Sequence, residues 1–481
     1  MKLTNSLNKN INSILKQFNN SSDIIVKEFM VANLNVACVY LKGLCDTQML
    51  AEYVIAPMQK VKSLPKTKQI DYVLSNVISF PEINENASYS EVIKEITKGK
   101  VCLLFEGSNK AQLLELDKYK ERSLTEPPTS AVLKGPREGF NENLKTNLSV
   151  IRKILSTDKL ESEMISVGTV TKTQVCVMYL KNIASKSIVK QVVNKIKQIK
   201  IDGIIDSFYI AEFLSGRQYS IFKQIGSAEK PDIVVAKMLE GRIAILVDGS
   251  PIVLTVPFIM LEDFQASDDY YSNYAHASFV RIIRLISFFV TILLPGMYIA
   301  IQLNHYKALP LKFLVTLVNS TQGLPLSPFA EIVFVLILFE ILYEASLRMP
   351  EYLGIALSIV GALILGDTAV KAGIISPPAV MIVALSGITL YTIPDQAQQL
   401  SLLRFMFTIA GGMIGFYGLV LMAVFFVIYL NDFDSYGAPY LAPLSPHIAA
   451  DQKDAVFKKP LRDMINRPRT IPNINHRRLK K

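Results

Sequence analysis

The sequence predicts a duplicated α/β soluble N-terminal region made of two similar subdomains, then an all-α polytopic transmembrane domain, then a basic C-terminal tail. Three observations carry this reading. Residues 1–280 have the mixed composition of a soluble protein, whereas apolar runs dominate 285–430. Two blocks of the soluble part recur in the same order: NVACVYLKGL (35–44) matches QVCVMYLKNI (174–183), and GKVCLLFEGS (99–108) matches GRIAILVDGS (241–250). A chance recurrence of acidic-Gly hairpin turns would explain one block but not both. The net charge of +10 sits mostly at the end, where ten Lys or Arg face three Asp from Asp451 onward. The divisions that follow are a polar leader (1–22), two α/β subdomains (23–134 and 135–270), a helical membrane domain (271–433) and the tail (434–481).

In the first subdomain, Ile24–Leu41 alternates and then runs apolar, as strands do. Thr47–Val61 has helical periodicity, and a loop-rich passage with Pro65 and Pro81 follows. A short helix is expected at Ser90–Lys98, a strand at Val101–Phe105, a turn at Glu106-Gly107-Ser108 and a hairpin partner at Leu113–Leu116. The connector Asp117–Phe140 is charged and Pro-rich. Its end, Gly135-Pro-Arg-Glu-Gly-Phe140, lacks the Gly-Lys-Ser/Thr that a phosphate loop needs. Asn141–Ile154 reads as an amphipathic helix opening the second subdomain, which then repeats the strand blocks with a helix behind them.

Asp268-Asp269-Tyr270-Tyr271 and Tyr274 suit the headgroup level, and Arg281 and Arg284 place the start of the first span, Leu285–Ile301, on the cytoplasmic side. Pro295-Gly296 should kink it. Leu309–Val318, with Lys312, is too short for a span and reads as re-entrant or interfacial. Phe329–Tyr343 is a second run, carrying Glu331 and Glu340. Leu353–Gly366 has 14 residues without a charge, too few for a helix rising about 1.5 Å per residue to cross ~30 Å of hydrocarbon. It therefore belongs at membrane depth but shielded from lipid. Ala379–Ile393 is bounded by Pro378 and Pro394, and Phe405–Leu430, with 26 uncharged residues, is long enough to cross. A cytoplasmic start and a cytoplasmic tail require an even number of crossings, so four crossings plus a re-entrant element are expected.

The chemistry concentrates between Phe339 and Pro378. Glu340, Glu344 and Arg348 share one helix face at i, i+4, i+8, and Asp367 and Lys371 repeat the acid-then-base spacing that favours ion pairing. Charge at this depth costs roughly 2.5–3.5 kcal/mol per residue, so these groups either pair structurally or line an aqueous ion path. Gly354, Ser358, Ala362 and Gly366 recur at i, i+4 steps, with Gly361 adjacent. Such a stripe means close helix packing or, in a ring of copies, a narrow pore gated by its apolar turns. Gly411 and Gly415 form a second GxxxG, for which packing suffices.

Other function classes find little support. Cys38, Cys45, Cys102 and Cys176 form no CxxC pair, and the four His offer no metal spacing. No GxSxG, GxGxxG or HExxH occurs, so neither an enzyme nor a cofactor is indicated. The first 22 residues lack the apolar core of a secretory signal, which keeps the soluble part in the cytoplasm. The tail suits anionic headgroups of membrane lipids better than nucleic acid.

Several stretches resemble the A subunit of the GerA spore germination receptor family: GPREGFNENLKTNLSVIRK (135–153), SVGTVTKTQVCVMYLKNIA (166–184), IDGIIDSFYIAEFL (201–214), EKPDIVVAKMLEGRIAILVDGSPIVLTVP (229–257), DDYYSNYAHASFVRIIR (268–284), FEILYEASLRMPEYLGIALSIVGALILGDTAVKAGIISP (339–377) and YGAPYLAPLSPH (436–447). The resemblance implies a nutrient receptor of the spore inner membrane, multi-pass and with its N-terminal domain cytoplasmic. It implies as partners an amino-acid-transporter-like B subunit and a lipoprotein C subunit. It further implies a homo-oligomeric ring that conducts monovalent cations once germinant binds. The helix holding Gly354, Ser358, Gly361, Ala362, Gly366 and Asp367 then becomes the candidate pore lining. Asp367 departs from the uncharged amide usual after the second glycine. A non-conducting signalling scaffold stands as the alternative, and a secondary transporter is disfavoured because the repeat is confined to the soluble part.

Overall fold

A computed structural model describes residues 3–19, 21–65, 67–78, 83–86, 88–116, 134–348, 361 and 367–479. They form two compact units. The first comprises Met1–Phe258, Ser435–Ala438 and Met464–Lys481; the second comprises Ile259–Asp434 and Pro439–Asp463.

The first unit contains two five-stranded antiparallel sheets. In chain order, α1 (Leu7–Gln17), β1 (Ile24–Val31), β2 (Leu34–Leu41), a helical stretch over 47–59, α2 (Gln69–Asn76), β3 (Ile83–Asn86), α3 (Tyr89–Thr97), β4 (Val101–Phe105) and β5 (Ala111–Leu114) build the first subdomain. The second runs α4 (Leu144–Ile154), β6 (Leu160–Val167), β7 (Thr173–Leu180), α5 (Lys186–Gln198), α6 (Ser207–Leu214), β8 (Gly226–Ala228), α7 (Pro231–Glu240), β9 (Ile243–Val247) and β10 (Val253–Val256). The strand orders are β1-β2-β4-β5-β3 and β6-β7-β9-β10-β8, the same path drawn twice. Register agrees as well: Val36 faces Phe105 and Cys38 faces Leu103, while Val175 faces Val247 and Val177 faces Ile245.

Both sheet faces are covered. Along β2, Ala37, Val39 and Leu41 pack with α1 and α3, whereas Val36 and Cys38 pack with Val54, Met58 and Val73 on the other side. Strand side chains alternate between faces, so a strand buried on both reads as a solid apolar run. That is why NVACVYL stood out in the sequence.

The polar leader is corrected. Residues 7–17 are α1, and Leu7, Ile11 and Ile14, followed by Phe18, are buried in the first core. Their i, i+4, i+7, i+11 spacing lies among Asn, Ser and Lys and was lost in the polar composition. The helix is also the counterpart of α4. Thr4 N–H donates to Asn10 Oδ1 (2.9 Å) and Asn10 Nδ2 donates to Thr4 O (2.6 Å). Asn141 and Asn147 make the same two bonds at 2.9 and 2.6 Å. The acid of each recurring turn accepts from the first residue of its helix: Leu7 N–H donates to Glu106 Oε2 (3.0 Å) and Leu144 N–H to Asp248 Oδ1 (3.2 Å). A carboxylate there answers the unsatisfied amides of a helix N-terminus. The subdomains are joined by a buried ion pair, Arg152 Nε donating to Asp23 Oδ2 at 2.7 Å.

The tail is corrected too, because it is not a free basic segment. Within the first unit, Ile474 N–H donates to Ile183 O (2.8 Å), Arg467 Nε donates to Leu239 O (2.6 Å), and Ile471 is fully buried.

The second unit holds α8 (Ser267–Tyr271), α9 (Tyr274–Asn304), α10 (Leu311–Thr321), α11 (Pro328–Arg348), α12 (Pro377–Leu390), α13 (Ala397–Ile414) and α14 (Phe416–Asn431). Among the described residues only α9 is by itself long and apolar enough to cross a membrane; α12 and α13 pass jointly but bend by 107° at their break. The run expected to cross as one helix, 405–430, is instead cut at Gly415, whose φ of 68° and ψ of −145° suit glycine alone. Gly411 does pack closely: a Cβ there would lie 2.5 Å from Gly296 O of α9. The α9 helix runs unbroken through Pro295. On α10 only Leu317 is buried.

Candidate functional site

The candidate charges lie on α11 and just before α12, and the structure separates them. Glu344 and Arg348 form an exposed pair, Arg348 Nε donating to Oε1 at 2.7 Å. Asp367 and Lys371 likewise pair at 2.8 Å in the open. Glu340, one turn before Glu344, turns elsewhere: Arg404 Nη2 of α13 donates to its Oε2 at 3.0 Å. The Arg404 side chain is only 2% exposed, and its Nε and Nη1 are buried without a hydrogen-bond partner. A half-satisfied buried guanidinium is costly, so this pair is the point of α11 most sensitive to rearrangement.

A further carboxylate, Glu331, is 1% exposed and accepts the Ser376 backbone N–H at the start of α12. There the positive end of the helix dipole offsets its charge. At the head of α9, Arg281 Nε donates to Asp269 Oδ2 (2.9 Å) and its Nη1 to Asp454 Oδ1 (2.9 Å). Arg284 Nη1 adds a bond to Asp269 at 2.8 Å, and Tyr270 donates to Asp454 Oδ2 at 2.8 Å. Lys458 Nζ donates to Asp269 O at 2.6 Å, and burial, then Arg281, holds its ammonium below the ordinary lysine range. Arg281, one of the two arginines read as orientation markers, thus also clasps the segment 439–463, while Arg284 holds Asp269 and Phe264 O. Among the described residues no group of His, Cys, Asp or Glu is arranged to hold a metal ion.

The family profile described as Bacillus/Clostridium GerA spore germination protein matches residues 12–470. The chain belongs to the GerA family. Spore germination protein KA of Bacillus subtilis is 34% identical over 471 residues, covering 97% of this chain and 87% of that protein. Uncharacterized membrane protein YfkQ of Bacillus subtilis is 33% identical, covering 98% and 92%. Among solved structures, the crystal structure of the N-terminal domain of the A subunit of the Bacillus megaterium spore germinant receptor GerK3 matches 54% of this chain and 98% of its own, at 28% identity and a TM-score of 0.43.

Of the pore-lining candidates in this GerA protein, Gly354, Ser358, Ala362 and Gly366 lie outside the described residues. Gly361 faces α11: a Cβ on it would meet Leu342 Cδ1 at 3.1 Å. Arg404 escaped the sequence reading because it sits directly before the apolar run that opens at Phe405. Its acid is 64 positions away. A lone arginine between apolar stretches was the signal available.

Proposed function

We propose that this chain is the A subunit of a multi-subunit nutrient germinant receptor in the spore inner membrane. It assembles as a homo-oligomeric ring with a transporter-like B subunit and a lipoprotein C subunit, and conducts monovalent cations once germinant binds. The α/β unit faces the cytoplasm, and its two subdomains descend from one duplicated ancestor, a view supported by their common strand order and register. The observation that carries the conduit reading is the helical unit's makeup. Beside the long α9, its apolar path is sharply bent at 391–393 and broken at Gly415, and it holds Glu331, Glu340 and Arg404. Such backbone and charge are tolerated at membrane depth where they face protein or an aqueous cavity.

The test is cation conductance of the complete receptor in planar bilayers, with and without germinant. Ala362→Leu should cut the germinant-evoked current at unchanged protein level. A current that ignores this substitution would overturn the pore assignment. The scaffold reading keeps one observation, the close approach of Gly361 to Leu342, which favours packing at that residue.

A further inference from the structure

The aromatic face of α6 has no role in the fold. Ile210 and Leu214 are fully buried and attach the helix to its sheet. On the outer side Phe208 is 53% exposed, Tyr209 40% and Phe213 42%, with Ile205 at 71% before them and Tyr219 at 98% after them. The corresponding helix of the first subdomain, α2, exposes one aromatic, Tyr72. The shared architecture therefore does not demand this patch, and a cluster of exposed large apolar groups marks a surface with a partner.

The surroundings indicate which partner. Leu214 O accepts from Tyr436 Oη at 2.9 Å and from Lys195 Nζ at 3.2 Å, and the Lys195 ammonium stands 4.7 Å over the Tyr436 ring. Tyr436 is the fifth residue after Asn431, the end of the apolar helix α14. Five residues of extended chain span about 18 Å at most. Lys195 reaches the C-terminal end of the helix at Leu214 O, and Arg217 lies three residues beyond it. Asp206 caps the N-terminal end and Glu212 is an exposed acid within the helix, so the cations gather at the C-terminal end of the patch. Phenylalanine and tyrosine with neighbouring cations are the groups that settle at the headgroup boundary, apolar ring inward and polar tip wet. Anionic lipid adds attraction to the cations.

We propose that α6 docks the second α/β subdomain on the bilayer surface through Phe208, Tyr209 and Phe213. The inference rests on reading 271–433 as membrane-embedded, and the experiment separates the two. The chain has no tryptophan, so one introduced indole is its only tryptophan emitter. The full chain is reconstituted into vesicles of brominated phosphatidylcholine with phosphatidylglycerol, carrying F208W or F213W. Y72W serves as the cytoplasmic reference and F425W, on the exposed side of α14, as the membrane reference. F208W and F213W should lose more than half of their emission relative to unbrominated vesicles and shift to the blue, while Y72W keeps its intensity. If F425W is quenched and F208W and F213W stay as bright as Y72W, the docking proposal is overturned and the membrane reading stands. If F425W itself escapes quenching, the membrane reading falls and takes the proposal with it.

Discussion

At the scale of single residues the chain's sensitive points are buried charges and thiols. Arg404 has one carboxylate for its whole guanidinium, so removing that acid strands a charge in the helical unit. Glu340→Gln should lower stability by about 3 kcal/mol, the low end for a broken buried pair because the Glu340 side chain is a third exposed. The double variant E340L/R404M should recover most of the loss. Thermal unfolding in detergent reads both, and a single variant no worse than the double would show that the pair carries no weight. The thiols behave oppositely, being stable when neutral. Burial, and then Cys45, pushes the Cys38 thiol up to about 12 from 9.0. The folded chain keeps a proton that the unfolded chain gives up, so this contribution is whole below pH 9 and drains away as pH rises toward 12. Cys38→Ala should make the alkaline loss of stability shallower by about 1.4 kcal/mol per pH unit across that window. Equal slopes for both proteins would refute it. Of these residues Cys38, Cys102 and Cys176 read from the sequence as small buried apolar groups, since they lie in apolar strands. It hid Arg404, whose partner only tertiary packing identifies.

At the scale of elements, glycine decides which helices touch. Gly296 and Gly411 bring α9 and α13 into backbone contact, each Cβ position falling within 2.6 Å of a carbonyl oxygen opposite. Gly387 on α12 faces only the Phe339 ring edge at 3.8 Å. Gly411→Ala should therefore cost about 1–3 kcal/mol by overpacking, whereas Gly387→Ala should be neutral or slightly stabilising. Urea or thermal titration of the two variants side by side tests this; an equal effect would mean that α9 and α13 can part without penalty. The strands β2, β4, β7 and β9 were legible because they are buried on both faces and the motif occurs twice. The α1 helix was not, because four apolar residues among Asn and Lys carry too little hydrophobicity to be noticed without the sheet they cover. Gly415 was missed for the complementary reason. Uniform apolarity over 405–430 gives length but no period, and a backbone reversal at one glycine leaves the composition unchanged.

At the scale of the whole chain, the C-terminal 45 or so residues are shared between the two units, and composition alone gave no sign of it. Ten cations against three acids read as a solvated surface segment, yet several of those cations are spent on internal carbonyls. Arg467 bonds Leu239 O and Asn475 O at 9% exposure, and Lys458 bonds Asp269 O at 5%. The two anchorages differ in what they hold, which makes them separable. Arg467→Ala removes a donor from Leu239 O and loosens Met464–Lys481 from the second α/β subdomain, a loss of about 2 kcal/mol on the value of a charged hydrogen bond to a buried carbonyl. Asp454→Asn leaves that contact alone and instead deprives Arg281 of one of its two carboxylates at the head of α9. Trypsin digestion of the full chain should then give two patterns. R467A should speed cleavage within 135–258 while α9 stays intact, and D454N should expose Arg281 and Arg284 while the α/β fragments persist. Faster cleavage in both regions from either variant alone would mean that the tail is one cooperative element rather than two independent clasps.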